Sequence, residues 1–295
     1  MQPEELLVPG VEVEHRYVDA RGLRTHVALA GPEGGDPVVL VHGWPQHWWI
    51  WRGVLPALVD AGYRCICVDL RGHGWTDAPP DGYEKEQFAS DVLAALDELG
   101  IERFKLIGHD WGGFASFLVA LRAPERVDRL LAVAIIHPWV RRQGGPVAFV
   151  KQLLGASYQF VIASPVVGKQ VVQRTPLIKT ALSRGSAYGL PDDVSKVYAD
   201  RWKEPARASA TVANYRTFLL RELNAILGGR YRHQRLRTPT VLLYGDRDPV
   251  IKGERLQGFE EHADDMRLRE IDGGHFLPDE QPARVAEEAL ALFSR

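Results

Sequence analysis

The sequence predicts an α/β protein: a mostly parallel sheet flanked by helices, with a helical segment inserted late in the chain. Three observations carry this expectation. Short apolar runs alternate with amphipathic stretches through the first half and again near the end, the rhythm of strand–helix units that build parallel sheets. Polar, glycine-containing motifs follow those apolar runs, and in open parallel sheets ligands collect at the carboxyl ends of strands. The stretch from about Trp139 to Tyr231 drops the strand rhythm and is helical in character.

Taken in order, Val11–Val18 and Thr25–Ala30 read as strands joined by a turn at Asp19–Gly22. Pro37–Val41 is a short apolar strand that stops at His42-Gly43. Trp51, Leu55 and Leu58–Val59 have helical spacing, and Tyr63–Asp69 is the next strand, ending at Arg71-Gly72-His73-Gly74. In Glu86–Leu99, residues Phe88, Val92, Leu96 and Leu99 line one side of a helix and Gly100 stops it. Phe104–Ile107 is a strand, Phe114–Leu121 a helix and Leu130–Ile136 a strand. Later, Thr240–Tyr244 and Met266–Ile271 are strands, and Pro282–Phe293 is a closing helix with Val285, Ala289 and Leu292 on one face. The expected division is a core of residues 1–138 and 232–295 with a helical cap of residues 139–231, in which Pro165, Pro176, Pro191 and Pro205 fall.

The 295 residues suffice for one large core with an inserted module. Composition is ordinary for a globular chain, 45% apolar and 25% charged. A net charge of -2 offers no basic excess for nucleic acid or an anionic membrane. No apolar run approaches the roughly 20 residues of a spanning helix. The acidic start, Met1-Gln2-Pro3-Glu4-Glu5, lacks a secretion signal, so a cytoplasmic location is expected. Cys65 and Cys67 stand two apart on one strand. They read as apolar fillers on one face rather than a disulfide.

The chemistry centres on Gly108-His109-Asp110-Trp111-Gly112-Gly113, which joins a strand to a helix. A sharp glycine-flanked turn in that setting is a nucleophile elbow, which usually carries Ser. Here it carries Asp110. A carboxylate, with an ordinary pKa of about 3.9, is ionised at neutral pH and needs no base to activate it. Attack on an ester carbonyl would give a reactive anhydride, whereas attack on saturated carbon gives an ordinary ester that water can cleave. The expected electrophile is therefore an epoxide or an alkyl halide. The plainer reading of Asp110 is a helix cap, and the residues around the elbow weigh against it.

His275, in Asp272-Gly273-Gly274-His275-Phe276, follows the last strand and can take a proton from water. Two carboxylates after Thr240–Tyr244 compete to orient it, Asp246 and Asp248. Asp248 is preferred because it lies further out, ahead of a Pro turn, whereas Asp246 suits a local backbone bond. Trp44, after His42-Gly43, and Trp111, after the nucleophile, are the expected backbone donors of an oxyanion hole. His42 reads as a structural hydrogen bonder. In the cap, the phenols of Tyr158 and Tyr215 stay protonated at neutral pH and could grip an epoxide oxygen and protonate it as the ring opens. Taken singly, each tyrosine reads first as a half-buried packing residue.

Together these motifs resemble the α/β-hydrolase superfamily, and within it the epoxide hydrolases. The resemblance runs through His42-Gly43-Trp44-Pro45, the run Asp69–Gly74, His109-Asp110-Trp111-Gly112-Gly113, Gly245 to Asp248, and Gly274-His275-Phe276. It extends to Tyr158-Gln159, with Pro165 seven residues on, and to Tyr215-Arg216. It implies the α/β-hydrolase fold, Asp110 as nucleophile, Asp248 as relay acid, His275 as base and the two tyrosines as proton donors. No metal or organic cofactor is needed. The expected partners are a small lipophilic epoxide and water, with neither nucleic acid nor membrane, and a homodimer is the assembly considered. A haloalkane dehalogenase shares Asp110-Trp111 but typically has Asn where Trp44 stands. Fluoroacetate dehalogenases want arginines where Trp111 and Phe114 stand. A third reading is a hydrolase-shaped binding protein without turnover.

Overall fold

The computed structural model describes residues 1–141 and 157–294. Residues 142–156, which belong to the expected cap, lie outside the described residues. Eight strands form one sheet: β1 (Val13–Ala20), β2 (Leu23–Ala30), β3 (Pro37–Val41), β4 (Arg64–Val68), β5 (Phe104–His109), β6 (Val127–Val133), β7 (Thr240–Gly245) and β8 (Met266–Ile271). Their order across the sheet is β1-β2-β4-β3-β5-β6-β7-β8. β2 pairs antiparallel with β1 and β4, and every other neighbouring pair is parallel.

Side chains on a strand alternate between faces, and the two cores follow that alternation. Val38 and Leu40 of β3 enter one apolar cluster, and Val39 and Val41 enter the other. Cys65 and Cys67 of β4 join Val38 and Leu40, both buried and unpaired. On that side lie α1 (Leu55–Asp60), through Leu55 and Leu58, and the closing helix Pro282–Phe293, through Val285, Ala289 and Leu292. On the other side lie α2 (Lys85–Glu98) and α3 (Trp111–Arg122), with Phe88, Val92, Leu96, Phe114 and Phe117 buried. Each such side chain contributes about 1.5–3 kcal/mol when fully removed from water.

Between β6 and β7 the described chain forms helices: α4 (Ser157–Ile162), α5 (Gly168–Arg174), α6 (Leu177–Gly185), α7 (Asp192–Arg201), α8 (Pro205–Thr217), a π-helical segment at Phe218–Glu222, and α9 (Leu223–Leu227). After β8 come α10 (Leu277–Glu280) and α11 (Pro282–Phe293). No helix among the described residues is long and apolar enough to cross a membrane.

Some boundaries differ from expectation for local reasons. β1 ends two residues late because Asp19 and Ala20 still pair with Arg24 and Leu23. The turn is then Arg21-Gly22 alone, at φ 53° and 77°, the two-residue geometry that suits strand twist. β6 starts at Val127, where it pairs with Phe104, and stops before Ala134, whose φ is 49°. Trp48–Gly53 is a separate 3-10 turn ahead of α1. The sheet leaves the ends of β3, β5, β7 and β8 along one edge, and the polar motifs gather there.

Candidate active site

Asp110 sits between β5 and α3 with φ 48° and ψ −124°, a conformation that costs a non-glycine residue on the order of 1–3 kcal/mol. Crowding explains the glycines around it. A Cβ at Gly112 would overlap the carbonyl oxygens of Val41 and His42, and one at Gly43 would collide with the Asp110 side chain. The close approach of Gly43 lets the Trp44 backbone N–H donate to Asp110 Oδ2 at 2.9 Å. The turn thus pushes the carboxylate out of the strand edge and against the loop after β3.

His275 Nε2 lies 3.5 Å from Asp110 Oδ1, and its Nδ1 lies 2.8 Å from Asp248 Oδ2. Asp248 is fully buried, and its other oxygen accepts the backbone N–H groups of Val250 (2.7 Å) and Ile251 (2.9 Å). Asp246 instead accepts the Gly273 N–H at 3.0 Å, with its side chain 44% exposed. Of the two competing carboxylates, Asp248 meets the imidazole. The Asp110 side chain keeps 14% of its surface open and His275 keeps 8%, so water reaches each of them. Two surface depressions elsewhere, of about 250 and 550 Å³, are not lined by Asp110, Asp248 or His275.

The charges are coupled. Burial favours the neutral acid at Asp110, but the hydrogen bond and charge of His275 outweigh it and hold the pKa below the usual value; the Trp111 backbone N–H helps. Burial opposes a charged imidazole at His275, yet Asp248 first, and then Asp110, raise its pKa to about 10. At neutral pH the resting site is therefore a carboxylate–imidazolium pair.

Above the pair are aromatic walls. Tyr215 of α8 is buried, with its ring edge-on to Trp44 at 5.2 Å and 6.2 Å from Trp111. Tyr158 of α4 stacks on Trp44 at 6.1 Å and meets Tyr215 at 6.2 Å. Burial raises the pKa of both phenols, and the charge of Asp110 acts in the same direction. Both are protonated donors at neutral pH. The Trp44 indole N–H donates to Thr211 Oγ1 at 2.6 Å. The Trp111 indole N–H is buried without a partner among the described residues. All seven residues singled out from the sequence therefore meet at one edge of the sheet.

The family described as alpha/beta hydrolase fold matches residues 36–282. The chain belongs to the α/β-hydrolase superfamily. It is 31% identical to AB hydrolase superfamily protein YfhM of Bacillus subtilis (strain 168) over 285 residues, 94% of this chain and 97% of that one. It is 28% identical to the soluble epoxide hydrolase of Corynebacterium sp. (strain C12), covering 96% of this chain and 98% of the relative. A solved structure titled epoxide hydrolase CorEH without ligand superposes with a TM-score of 0.84 at 26% identity, covering 96% of this chain and 99% of the other.

In this α/β-hydrolase, sequence reasoning missed several supports of the site. The His109 imidazole donates from Nε2 to the His275 carbonyl at 2.9 Å. The Glu280 carboxylate accepts the N–H groups of Gly274 (3.1 Å), Phe276 (3.0 Å) and Ala187 (2.7 Å), tying the His275 loop to the end of α6. His42 is the structural bonder expected: Nδ1 donates to the Gly43 carbonyl at 3.0 Å, and Nε2 accepts the Leu70 N–H at 3.1 Å. Thr211, Lys85, Asn214 and Glu222 also carry no local motif that would have flagged them. Among the described residues no cluster of three or more His, Cys, Asp or Glu side chains could hold a metal ion.

Proposed function

We propose that this α/β-hydrolase converts epoxides to vicinal diols through an ester on Asp110. The observation that carries the reading is the pair of protonated phenols, Tyr158 and Tyr215, meeting over Trp44 beside an ionised elbow carboxylate. An epoxide oxygen leaves as an alkoxide and needs a proton. A halide needs none. The helices between β6 and β7 act as the cap that supplies that proton, and the reactants are a small lipophilic epoxide and water.

In the proposed cycle, an Asp110 oxygen forms a bond to a ring carbon as the ring C–O bond breaks. A phenol gives its proton to the leaving oxygen. Ester formation consumes the Asp110 charge, one of the causes that keep His275 protonated. The imidazolium then releases a proton that restores the phenol and becomes a base. It takes a proton from water as the oxygen of that water bonds to the Asp110 carboxyl carbon. The Trp44 and Trp111 backbone N–H groups face the developing oxyanion, a role in which one donor is typically worth about 3 kcal/mol. Collapse breaks the bond between the Asp110 carboxyl carbon and the alkoxy oxygen, and the leaving alkoxide takes the proton of the new carboxyl group. The diol leaves, with Asp110 ionised and His275 protonated as at the start.

The names of the similar proteins support the epoxide reading. The dehalogenase reading has one observation in its favour, the unpartnered indole N–H of Trp111. Against it, the indole N–H of Trp44 is committed to Thr211, so it is not a second halide donor. A panel of aryl and alkyl epoxides beside 1-chloroalkanes tests the choice. Diol from the epoxides, with no chloride release, is expected; chloride release without diol would overturn the proposal.

A further inference from the structure

Lys85 is fully buried at the start of α2. A buried ammonium is costly unless all its protons are matched, and this one donates to three acceptors. They are the Tyr83 carbonyl (3.0 Å), Asn214 Oδ1 (2.8 Å) and Glu222 Oε2 (3.3 Å). The other Glu222 oxygen accepts the Lys85 backbone N–H at 2.7 Å. A carboxylate from the inserted helices thereby caps the N-terminus of a core helix, where negative charge is favoured. The ammonium also sits 4.5 Å from the Trp111 ring. With its donors occupied, Lys85 is not a free cation for an acidic guest.

The partners of Lys85 surround the proton donor. Asn214 precedes Tyr215 on α8. Phe218 and Glu222, four and eight residues after Asn214, fall on the π-helical segment that ends α8, and the ammonium is 6.0 Å from the Phe218 ring. Irregular π turns are frequent at functional sites. Phe218 in turn packs edge-on against Trp111 at 4.6 Å. One cation therefore holds the chain on both sides of Tyr215 and the indole beside the nucleophile.

We propose that Lys85 is a positioning residue: its clamp on Asn214 and Glu222 aims the Tyr215 hydroxyl at the oxygen that leaves during ring opening. This rests on the reading of Tyr215 as proton donor. The alternative is an ion pair that only packs cap against core. Because swapping a buried ion pair for apolar groups is often tolerated, Lys85→Met/Glu222→Leu removes the clamp without stranding a charge. Lys85→Gln/Glu222→Gln keeps polar contacts without leaving either charge unpaired and serves if the first double variant fails to fold. Lys85→Arg tests rescue.

Single-turnover kinetics with styrene oxide separate ester formation from ester hydrolysis, with urea unfolding as a control. In the folded double variant, ester formation should fall roughly tenfold or more, while ester hydrolysis stays within about twofold. In a Tyr215→Phe background the same change should cost nothing further, because residues acting through one group are not additive. Lys85→Arg should recover part of the loss. An unchanged rate of ester formation in a folded variant, or an equal loss with and without the Tyr215 hydroxyl, would overturn the assignment. A wild-type protein that forms no ester with any epoxide would instead sink the functional reading, and this assignment with it.

Discussion

Replacing Asp110 with Asn imitates the ester intermediate, since it keeps the shape of the group and removes its charge. His275 has its pKa raised to about 10, from an ordinary 6.5, by Asp248 and Asp110 against the opposing effect of burial. The difference of about 3.5 units, at about 1.4 kcal/mol per unit, is on the order of 5 kcal/mol in favour of the imidazolium. One carboxylate at this range typically accounts for roughly 1–3 of those units. In Asp110→Asn the His275 pKa should therefore fall by that amount, with Asp248 still in place. NMR of labelled histidine between pH 5 and 11 measures both midpoints. The linkage has a definite sign: because the folded pKa is raised, the stabilisation from His275 is complete below about pH 6.5 and is lost as pH climbs through about 10. Urea unfolding across that window should show stability falling with pH, and falling less in Asp110→Asn. A wild-type midpoint near 6.5, or the same midpoint in the Asn variant, would refute the coupling and the idea that ester formation releases the base.

Other outcomes follow from the same geometry. His275→Gln should still form the ester but not cleave it, so mass spectrometry after epoxide treatment should find the Asp110 peptide heavier by one epoxide; an unmodified peptide counts against the covalent route. Tyr215→Phe should slow epoxide opening by roughly 10²-fold, and Tyr158→Phe/Tyr215→Phe should abolish it. Diol assays check both, and electron-poor epoxides, whose alkoxides need less help, should suffer least. Thr211→Val leaves the buried Trp44 indole N–H without its acceptor, which should destabilise the fold by about 1–3 kcal/mol in urea unfolding.

The parts of the site that sequence reveals obey local rules. Gly108, Gly112 and Gly113 flank a turn that few other residues fit, and Met266–Ile271 and Pro282–Phe293 follow plain periodicity to their observed ends. Asp246 and Asp248 both lie after one strand, and position relative to the Pro turn favoured the one that meets the imidazole. The ends of β1 and β6 depart from the sequence pattern because pairing with a neighbour, not composition, decides where a strand stops.

By itself, then, the sequence determined the alternation of strands and helices, the strained elbow holding an acid, and the glycines that make room for it. Each depends on side chains a few residues apart. Tertiary structure decided which distant groups share the site. Trp44 meets Thr211 across 167 residues, and Lys85 meets Glu222 across 137. It also decided that the His275 pKa is raised, because Asp248 and Asp110 come near the imidazole, and outweigh its burial, only once the chain is packed.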